Sequence, residues 1–449
     1  MQLQPKSTDE LKEARSWWSG RKVGVWGAAI TGFAAAKLLH KLGAIVTLSD
    51  PKDADQLDDI TELPPEIKLS LGRPNEIGDA EIIIPSPGLK PSHALIKSVQ
   101  AAGITLMSEV ELAARVTAAP IIAITGTDGK STTTLLITEA LRSQEIWARA
   151  VGNIGDPISN WALEAPAHGV LVLEISAFQL WSTRTLNAQI GVITNIVNDH
   201  LDYFNGSADA YRSAKLKLAH LLTARAPLFY PPSALSIPEI ESSQASGELN
   251  LRLSPYQHPD PPAESLLLGD HNQLNMGAAL SIIEQLSLDQ DRARQHLRTF
   301  TALPYRLTLS RELDGVVYLN DSKATNVHAA CTGISSLSGR LIVIAGGYDK
   351  GLDLSEFITL LKNKAHVVLT IGQTGPHIVE ALAMYDTECI ACRTLDIAIE
   401  EAQRRSSPGD LVVFSPAASS FDQFKSYEAR GATFDLLVSQ LVSKLQDPS

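Results

Sequence analysis

The chain has 449 residues, a formal net charge of −12 and 20% charged residues, and this length is enough for about three domains. The acidic balance argues against a nucleic-acid partner, because nucleic-acid-binding proteins normally carry a basic excess. No apolar run approaches the roughly 20 residues of a membrane span, and the polar N-terminus has no apolar signal-peptide core. Three cysteines fit a reducing compartment, so we expect a cytoplasmic protein with no membrane span.

From residue 22 the sequence KVGVWGAAITGFAAAKLLHKLGAIVTLSD predicts a strand, a helix and a second strand. Its glycines, Gly24, Gly27 and Gly32, do not match G-x-G-x-x-G, the pattern of a dinucleotide site, which is one of three interpretations of this turn. A tight strand-to-helix turn is one alternative. Another is a mononucleotide diphosphate at the helix N-terminus, with Asp50 near a sugar or base. The later segment AEIIIPSPGLKPSH predicts a strand that ends in a ligand-facing loop.

The segment IIAITGTDGKSTTTLL, residues 121–136, predicts a phosphate-binding loop between a strand and a helix. The common P-loop, G-x-x-x-x-G-K-[ST], would place its first glycine at position 124, where Ile124 stands. Gly126 and Gly129 instead allow backbone N–H groups to approach phosphate oxygens. Lys130 can neutralise phosphate charge, and Ser131 can place a hydroxyl on Mg²⁺.

Two more apolar runs, GVLVLEIS and IGVITNIVNDH, predict further strands of a mostly parallel sheet. The first ends at Glu174, and a buried carboxylate is costly unless it is paired or bound to a metal. The second leads to His200. Because ligands of α/β proteins bind at the carboxyl ends of strands, both residues are candidates for the same site. Residues 231–265 are rich in Pro and Ser and predict an irregular connection or an insertion within this unit.

The C-terminal part contains four strand candidates, GVVYLNDS, RLIVIAGG, HVVLTIG and DLVVFSPA, with helical segments between them. Cys389 and Cys392 form the sequence CIAC, but no second pair completes a four-ligand metal site. Small buried residues in or near a strand are the preferred interpretation. The predicted fold class is α/β, with a Rossmann-like N-terminal domain, a P-loop-type ATPase domain with a parallel sheet, and a Rossmann-like C-terminal domain. Their predicted bounds are 1–117, 118–303 and 304–449.

Seven segments then support a family resemblance: GTDGKSTTT, LEISAFQL, NDHLDYF, HNQLN, YLNDSKATN, AGGYDKG and FSPAASSFDQFKSYEARG, in this order. Together they resemble the Mur ligases, the ATP-dependent amide-forming enzymes of peptidoglycan precursor synthesis, and NDSKATN and SPAASSFDQFKSYEARG point to the glutamate-adding step. The displaced glycine of the loop is a family feature, T-G-T-x-G-K-[ST]. The sequence departs from the family pattern at Asp128, where Asn is commoner, at Tyr305, where His is commoner, and at Tyr427, where Phe is commoner.

The resemblance implies that the first domain binds the UDP part of UDP-N-acetylmuramoyl-L-alanine through Ile30, Thr31, Asp50, Lys52, Ser86, Pro87 and Gly88. Asn153 would reach the muramoyl-alanine end. ATP would contact Gly126, Thr127, Asp128, Gly129, Lys130, Ser131, Thr132, Asn272, Arg306 and Asp321.

The resemblance also implies a catalytic set of Lys130, Glu174, His200 and Lys215. Two Mg²⁺ ions would be held by Ser131, Glu174, His200 and Lys215, the last residue carbamylated by CO₂. The glutamate pocket would consist of Lys323, Thr325, Lys350, Ser420, Phe421 and Tyr427. The residues alone do not distinguish D-glutamate from L-glutamate.

The mechanism implied is phosphorylation of the substrate carboxylate by ATP, followed by attack of the glutamate amine on the acyl phosphate. Two alternatives stay open. One is another ligase of the superfamily, with a different amino acid or with folylpolyglutamate as product. The other is a catalytically inactive nucleotide-binding partner protein. The expected oligomeric state is a monomer.

Overall fold

The computed structural model describes residues 1–57, 60–73, 76–197, 199, 203–204, 206–231, 240, 242, 245–247, 249–260, 267, 269–301, 304–349, 351 and 353–443. The described residues divide into two compact units. The first comprises those of Met1–Asn198, Tyr203–Glu264 and Gln273–Thr299, and the second those of Asp199–Asp202, Ser265–Asn272 and Phe300–Ser449. The first unit contains two β-sheets and the second unit contains one. The three domain boundaries proposed from the sequence stay predictions.

The first sheet has five strands in the order β3-β2-β1-β4-β5, and all of them pair in parallel. Parallel strands need crossover connections, and helices supply most of them here. The strands are β1 (Lys22–Trp26), β2 (Ile45–Asp50), β3 (Lys68–Leu71), β4 (Ile82–Pro85) and β5 (Thr105–Leu106). The helices are α1 (Thr8–Ser16), α2 (Ile30–Lys41), α3 (Ala94–Ala101) and α4 (Glu109–Val116), with 3₁₀ turns at Ala54–Gln56 and Ile60–Glu62.

The second sheet has six parallel strands in the order β11-β10-β9-β6-β8-β7. Its strands are β6 (Ile121–Thr125), β7 (Ala148–Gly152), β8 (Val170–Glu174), β9 (Ile190–Ile193), β10 (Pro227–Tyr230) and β11 (Arg252–Pro255). The helices are α5 (Lys130–Ser143), α6 (Ala177–Leu180), α7 (Ala208–Leu216), α8 (Asp270–Gln285) and α9 (Gln290–Leu297), with 3₁₀ turns at Ile158–Asn160 and Lys217–Leu221.

The predicted irregular connection over 231–265 is wrong where β11 forms. This short strand has no buried residue and pairs only with β10, at the edge of the sheet. An edge strand needs little apolar sequence, which explains why the local pattern gave no signal. Most of the remaining residues of this segment lie outside the described part of the chain.

The third sheet has the order β12-β13-β17-β14-β15-β16, and only β12 with β13 is antiparallel. The strands are β12 (Thr308–Leu313), β13 (Val316–Asn320), β14 (Leu341–Ala345), β15 (Ala365–Ile371), β16 (Glu388–Arg393) and β17 (Leu411–Phe414). The helices are α10 (Val327–Ser335), α11 (Ser355–Lys364), α12 (Gly375–Leu382), α13 (Leu395–Arg405) and α14 (Tyr427–Gln440). The four predicted strands are present, and the edge strands β12 and β16 are additions that the sequence pattern missed.

Cys389 and Cys392 both lie on β16, three positions apart, so their side chains leave the strand on opposite faces. Cys389 packs against one apolar cluster of the third sheet, whereas Cys392 belongs to another. Burial raises the pKa of each thiol to about 11. Side chains on opposite faces share neither a metal site nor a disulfide. The interpretation as small buried residues in a strand is confirmed for Cys392, whereas Cys389 is only partly buried.

The centre of the second sheet explains where a ligand can bind. Strands β6, β8 and β9 are buried along their whole length. Strands buried on both faces read as continuous apolar runs, which is how the sequence predicts them. Strand β6 lies between β9 and β8. The loops that follow these three parallel strands therefore lie together at the carboxyl ends of the strands, where ligands of α/β proteins bind.

Candidate functional site

The loop after β6 has the geometry of a phosphate cradle. Gly126 has φ of 147° and Gly129 has φ of 77°, both in the region that favours glycine. A Cβ on Gly126 would overlap the Thr194 hydroxyl, and one on Gly129 would lie 2.6 Å from Asn275 Oδ1. Helix α5 then begins with no side-chain cap and no acidic residue in its first turn. Its free N–H groups and dipole are thus available to an anion.

Side chains on neighbouring segments fix the shape of this cradle. Asn195 Oδ1 accepts hydrogen bonds from the backbone N–H groups of Thr127 and Asp128, at 3.0 and 2.9 Å. The Lys130 ammonium donates to the Thr127 carbonyl oxygen at 2.6 Å, so its charge lies over the loop. Ser131, in the first turn of α5, is 6% exposed. The cradle therefore combines backbone donors, an ammonium and a hydroxyl, which is the set that a nucleotide triphosphate with Mg²⁺ requires.

Glu174 ends β8 beside the cradle and is 1% exposed. Its Oε1 accepts a hydrogen bond from Asn153 Nδ2 at 2.8 Å, and its carbonyl oxygen accepts one from the Asn153 N–H at 2.9 Å. Among the described residues, Oε2 has no hydrogen-bond partner. A buried, unsatisfied carboxylate oxygen is costly, and it is the hard ligand that Mg²⁺ prefers. The residues that the structure describes here fit a divalent cation.

Lys215 lies under the same cradle although it is a charged residue. It is 2% exposed, its ammonium donates to the Gly126 carbonyl oxygen, and it lies 4.6 Å from the centroid of the Tyr211 ring. The Tyr211 hydroxyl in turn bonds with the Thr127 hydroxyl at 3.1 Å. Lys217, two residues later, points elsewhere and donates to the Trp181 carbonyl oxygen. The fold thus separates the two lysines and brings only Lys215 to the phosphate loop.

The predicted UDP-contacting residues gather at the ends of β1, β2 and β4. Asp50 accepts hydrogen bonds from the backbone N–H groups of Ala28 at 2.7 Å and Lys52 at 2.9 Å, so it holds the turn between β1 and α2. A Cβ on Gly27 would lie 2.8 Å from the Cβ of Ser86. The 86–88 loop and the N-terminus of α2 are therefore adjacent. The remaining predicted residues, Ile30, Thr31, Pro87 and Gly88, lie in these two segments.

In the second unit, the structure brings together two of the predicted glutamate-pocket residues. The Lys323 ammonium donates to the Tyr427 hydroxyl at 3.0 Å and lies 4.7 Å from the centroid of its ring. The Thr325 N–H donates to the Lys323 carbonyl oxygen at 2.8 Å. Ser420 is buried, whereas Phe421 is 69% exposed. The structure thus places a cation, hydroxyl groups and an exposed aromatic ring in the segments that the sequence singled out.

Asp321 follows β13 and is 4% exposed. Burial raises its pKa to about 7. The Ser415 hydroxyl, which donates to Oδ2 at 2.7 Å, and the positive charge of Arg306 both act to lower this pKa. Arg306 lies between Tyr305 and Leu307, which both have positive φ angles, 66° and 47°. Such angles strain residues other than glycine, so the surrounding structure must hold this segment. Asn272 lies in the first turn of α8 and is buried.

Two predicted residues, His200 and Lys350, lie outside the described residues. The roles that the sequence assigned to them stay predictions. Within the described ranges, no group of three or more His, Cys, Asp or Glu residues forms a metal site. No helix of the described chain is long and apolar enough to cross a bilayer.

Comparison with known proteins gives matches along nearly the whole chain. Three domain families match: the Mur ligase MurD-like N-terminal domain at residues 21–108, the Mur ligase middle domain at 124–232, and the Mur ligase glutamate ligase domain at 305–418. A protein of Salinibacter ruber named UDP-N-acetylmuramoylalanine–D-glutamate ligase is 33% identical, over 97% of this chain and 99% of its own. The protein of the same name from Enterococcus faecalis is 34% identical, over 94% and 98%. The chain belongs to the Mur ligase family.

Solved structures agree with this Mur ligase in fold. The UDP-N-acetylmuramate-alanine ligase of Thermotoga maritima has a TM-score of 0.59 at 16% identity, over 93% of this chain and 99% of its own. The folylpolyglutamate synthase of Mycobacterium tuberculosis, complexed with ADP and AMPPCP, has a TM-score of 0.55 at 15% identity, over 76% and 93%. These likenesses confirm the predicted α/β Mur ligase architecture.

Three residues of this Mur ligase contribute to the sites although the sequence analysis gave them no role. Asn195 and Asn275 line the phosphate loop; Asn275 Oδ1 accepts a hydrogen bond from the Thr133 hydroxyl at 3.2 Å. Arg430 is 1% exposed and donates to the Ser322 hydroxyl and to the carbonyl oxygens of Ser322 and Ala418. Asn275 and Arg430 lie within segments quoted for the resemblance, which was the one signal available.

Burial lowers the pKa of the Arg430 guanidinium to about 10, partly offset by Asp422 and Asp321. Its hydrogen bonds to Ser322 and Ala418 go to neutral acceptors. It thereby links Ser322, the residue before Lys323, to Ala418, two residues before Ser420. Arg430 thereby holds the two predicted glutamate-binding segments in one arrangement.

Proposed function

We propose that this protein is an ATP-dependent ligase that adds D-glutamate to UDP-N-acetylmuramoyl-L-alanine, releasing ADP and phosphate, in peptidoglycan precursor synthesis. The observation that carries this proposal is the buried Glu174 Oε2, which has no hydrogen-bond partner in the part of the chain that the structure describes and lies beside a glycine cradle at the ends of β6 and β8. The glutamate-adding step is favoured over other amino acids by the names of the relatives that match nearly the full length.

In the first step, a carboxylate oxygen of the muramoyl-alanine attacks the γ-phosphorus of ATP and ADP leaves. The chain's part is to position the two anions and to offset their charge. Lys130 supplies an ammonium, and the N-terminus of α5 supplies N–H donors without a competing acidic side chain in its first turn. Asn195 keeps the loop in shape by holding two of its backbone N–H groups.

In the second step, the amine of glutamate attacks the carbonyl carbon of the acyl phosphate, and the tetrahedral intermediate loses phosphate and a proton from nitrogen to give the amide. No protein nucleophile is needed. Lys323, Thr325, Lys350, Ser420, Phe421 and Tyr427 form the proposed amino-acid pocket, in which ammonium groups suit the two carboxylates of glutamate. Asn272, Arg306 and Asp321 complete the proposed ATP contacts.

Ser131, Glu174, His200 and a carbamylated Lys215 would hold Mg²⁺, for which two ions are proposed, and the metal would offset the negative charge of the phosphates. The amine of Lys215 must lose a proton before it adds to CO₂; the carbamate that forms carries two hard oxygens. The deep burial of Lys215 under the loop and its separation from Lys217 support this choice of lysine.

The proposal includes three domains: residues 1–117 would bind the UDP-linked substrate, residues 118–303 would bind ATP, and residues 304–449 would contact both glutamate and ATP. Ile30, Thr31, Asp50, Lys52 and the 86–88 loop would contact the UDP part, with Asn153 toward the muramoyl-alanine end. We also propose a cytoplasmic location, since the three cysteines are free thiols and such thiols persist in a reducing compartment. The proposed oligomeric state is a monomer.

The test is phosphate release by the purified protein with ATP, Mg²⁺, UDP-N-acetylmuramoyl-L-alanine and either enantiomer of glutamate, with the product identified by mass. We expect turnover that requires every substrate and prefers D-glutamate. Glu174→Gln should lower kcat at least about 100-fold, whereas Glu164→Gln, in an exposed ion pair with Lys41, should leave it unchanged. Binding of ATP without turnover would instead support the inactive partner protein, and turnover with another amino acid or a folate would support another ligase.

A further inference from the structure

An ion-pair cluster next to Asn153 involves residues to which neither the sequence analysis nor the comparisons assign a role. Arg149 lies on β7, and its Nε and Nη2 both donate to Asp156 Oδ2, at 3.2 and 2.9 Å. Trp161 Nε1 donates to the same oxygen at 2.8 Å. The guanidinium carbon of Arg149 lies 3.8 Å from the centroid of the Trp161 ring. We call Arg149, Asp156 and Trp161 the Asp156 clamp.

The clamp closes the loop that carries Asn153. The Gly152 N–H donates to the Asp156 carbonyl oxygen at 2.7 Å, and both glycines of the loop, Gly152 and Gly155, have positive φ angles of 95° and 99°. A loop with two glycines has high conformational entropy when nothing holds it. The clamp joins its two ends, and Asn153 is fixed between them against Glu174.

The far side of the clamp connects to the first sheet of the same unit. Trp161 directly follows the 3₁₀ turn Ile158–Asn160, which packs against α2 and α4. Helix α2 begins at the predicted UDP-contacting residues. The clamp thus lies between the helix that would hold the UDP part and the Asn153–Glu174 pair that would meet the muramoyl-alanine end.

We infer that the Asp156 clamp is a positioning device that sets the affinity for the UDP-linked substrate by holding the Asn153 loop in its binding conformation. This inference rests on the proposed function. Arg149, Asp156 and Trp161 act through the loop and need not touch the substrate. The physical reason is pre-organisation: a loop that is already ordered loses less entropy when the substrate binds. The charge-assisted bonds to Asp156 supply the order, because they are stronger than neutral hydrogen bonds.

Asp156→Asn tests the inference, because it removes the carboxylate charge and keeps the size of the side chain. Glu145→Gln is the matched control: it also turns an acid into its amide and removes an arginine partner, Arg292 at 2.8 Å, but on an exposed surface. We expect Asp156→Asn to raise KM for UDP-N-acetylmuramoyl-L-alanine and its calorimetric Kd, measured without ATP, by about tenfold. The KM for glutamate should change less than twofold, as should every constant of the control.

Hydrogen exchange gives a readout that does not depend on activity. Amides of residues 152–156 should exchange faster in Asp156→Asn, while those of β6 should not. Trp161→Phe removes one hydrogen-bond donor and keeps an aromatic ring. It should also speed exchange of the amides of residues 152–156, but by less than Asp156→Asn does. An unchanged Kd with unchanged loop exchange would overturn the inference, as would a parallel rise of all KM values. If the wild-type protein shows no turnover, the proposed function is wrong. Hydrogen exchange would still test whether the Asp156 clamp orders the Asn153 loop.

Discussion

Replacing Glu109 with glutamine should stabilise the first unit at neutral and alkaline pH. Glu109 begins α4 and is 4% exposed; its Oε1 accepts a hydrogen bond from the Ser159 N–H at 2.8 Å. Its Oε2 and the Ser159 hydroxyl are buried, and neither has a partner among the described residues. Burial raises the pKa of the carboxyl from 4.5 to about 7, with Ser159 acting in the opposite direction.

The size of the effect follows from the pKa. One pKa unit corresponds to about 1.4 kcal/mol, so ionising Glu109 in the folded state costs about 3 kcal/mol. The dipole at the N-terminus of α4 favours the anion and offsets up to about 1 kcal/mol of this. Because the folded pKa lies above the unfolded one, the cost is absent below pH 4.5. Stability then falls as pH rises from 4.5 to 7, and the full cost of about 2 to 3 kcal/mol remains above pH 7.

Glutamine cannot ionise, retains an oxygen that can accept from the Ser159 N–H, and adds an NH₂ donor near the Ser159 hydroxyl, for which the described residues supply no partner. The variant should therefore exceed the wild type in stability at pH 8 and match it more closely at pH 4.5. All six tryptophans, at 17, 18, 26, 147, 161 and 181, belong to the first unit. Urea unfolding followed by tryptophan fluorescence at the two pH values thus reports on the unit that contains Glu109.

Glu111→Gln provides a control of opposite sign in the same helix. Glu111 is buried but accepts hydrogen bonds from Arg115 at 2.7 Å, the Arg184 N–H at 2.6 Å and the Thr185 hydroxyl at 3.0 Å. Removing its charge should lower stability. The reasoning on Glu109 is refuted if Glu109→Gln is less stable than the wild type at pH 8, or if the difference between them does not depend on pH.

Three further predictions concern the sites. Asp128→Asn should retain activity, because the structure uses the backbone N–H of this residue to bind Asn195; a hundredfold fall in kcat, about 2.7 kcal/mol, would show that the carboxylate has a role of its own. Lys215→Ala should nearly abolish turnover, and short carboxylic acids should partly restore the activity of this variant. Lys217→Met, which keeps an apolar side chain, should have little effect. Normal turnover of Lys215→Ala in CO₂-free buffer would exclude the carbamate. Because the pKa of Asp321 is about 7, the wild-type KM for ATP should fall as pH rises from 6 to 8 and the carboxylate ionises. Asp321→Asn should remove this pH dependence. If the variant's KM for ATP changes with pH as that of the wild type does, another group is responsible for the titration.

The sequence by itself determined the elements on which the site is built. Central strands such as β6, β8 and β14 are buried on both faces, so their apolar runs are continuous and easily recognised. The phosphate loop is equally local, because Gly126 and Gly129 are needed for backbone angles that other residues rarely adopt. The edge strands β11, β12 and β16 have weaker hydrophobic patterns in the sequence. Because each is buried on one face at most, its sequence contains no continuous run of apolar residues.

Only the tertiary structure decided which side chains meet. Asn195 lies 67 residues after Asp128, and Asn275 lies 142 residues after Thr133, the residues with which they bond at the loop. Arg149 and Trp161 both donate to one Asp156 oxygen without any sequence motif. Burial is also a property of the whole fold: Glu109 and Glu111 are two residues apart on one helix, yet Glu111 has Arg115 as a partner and Glu109 has none among the described cations. Hydrogen bonding, packing and desolvation between distant segments fix these differences, and a local sequence pattern contains no record of them.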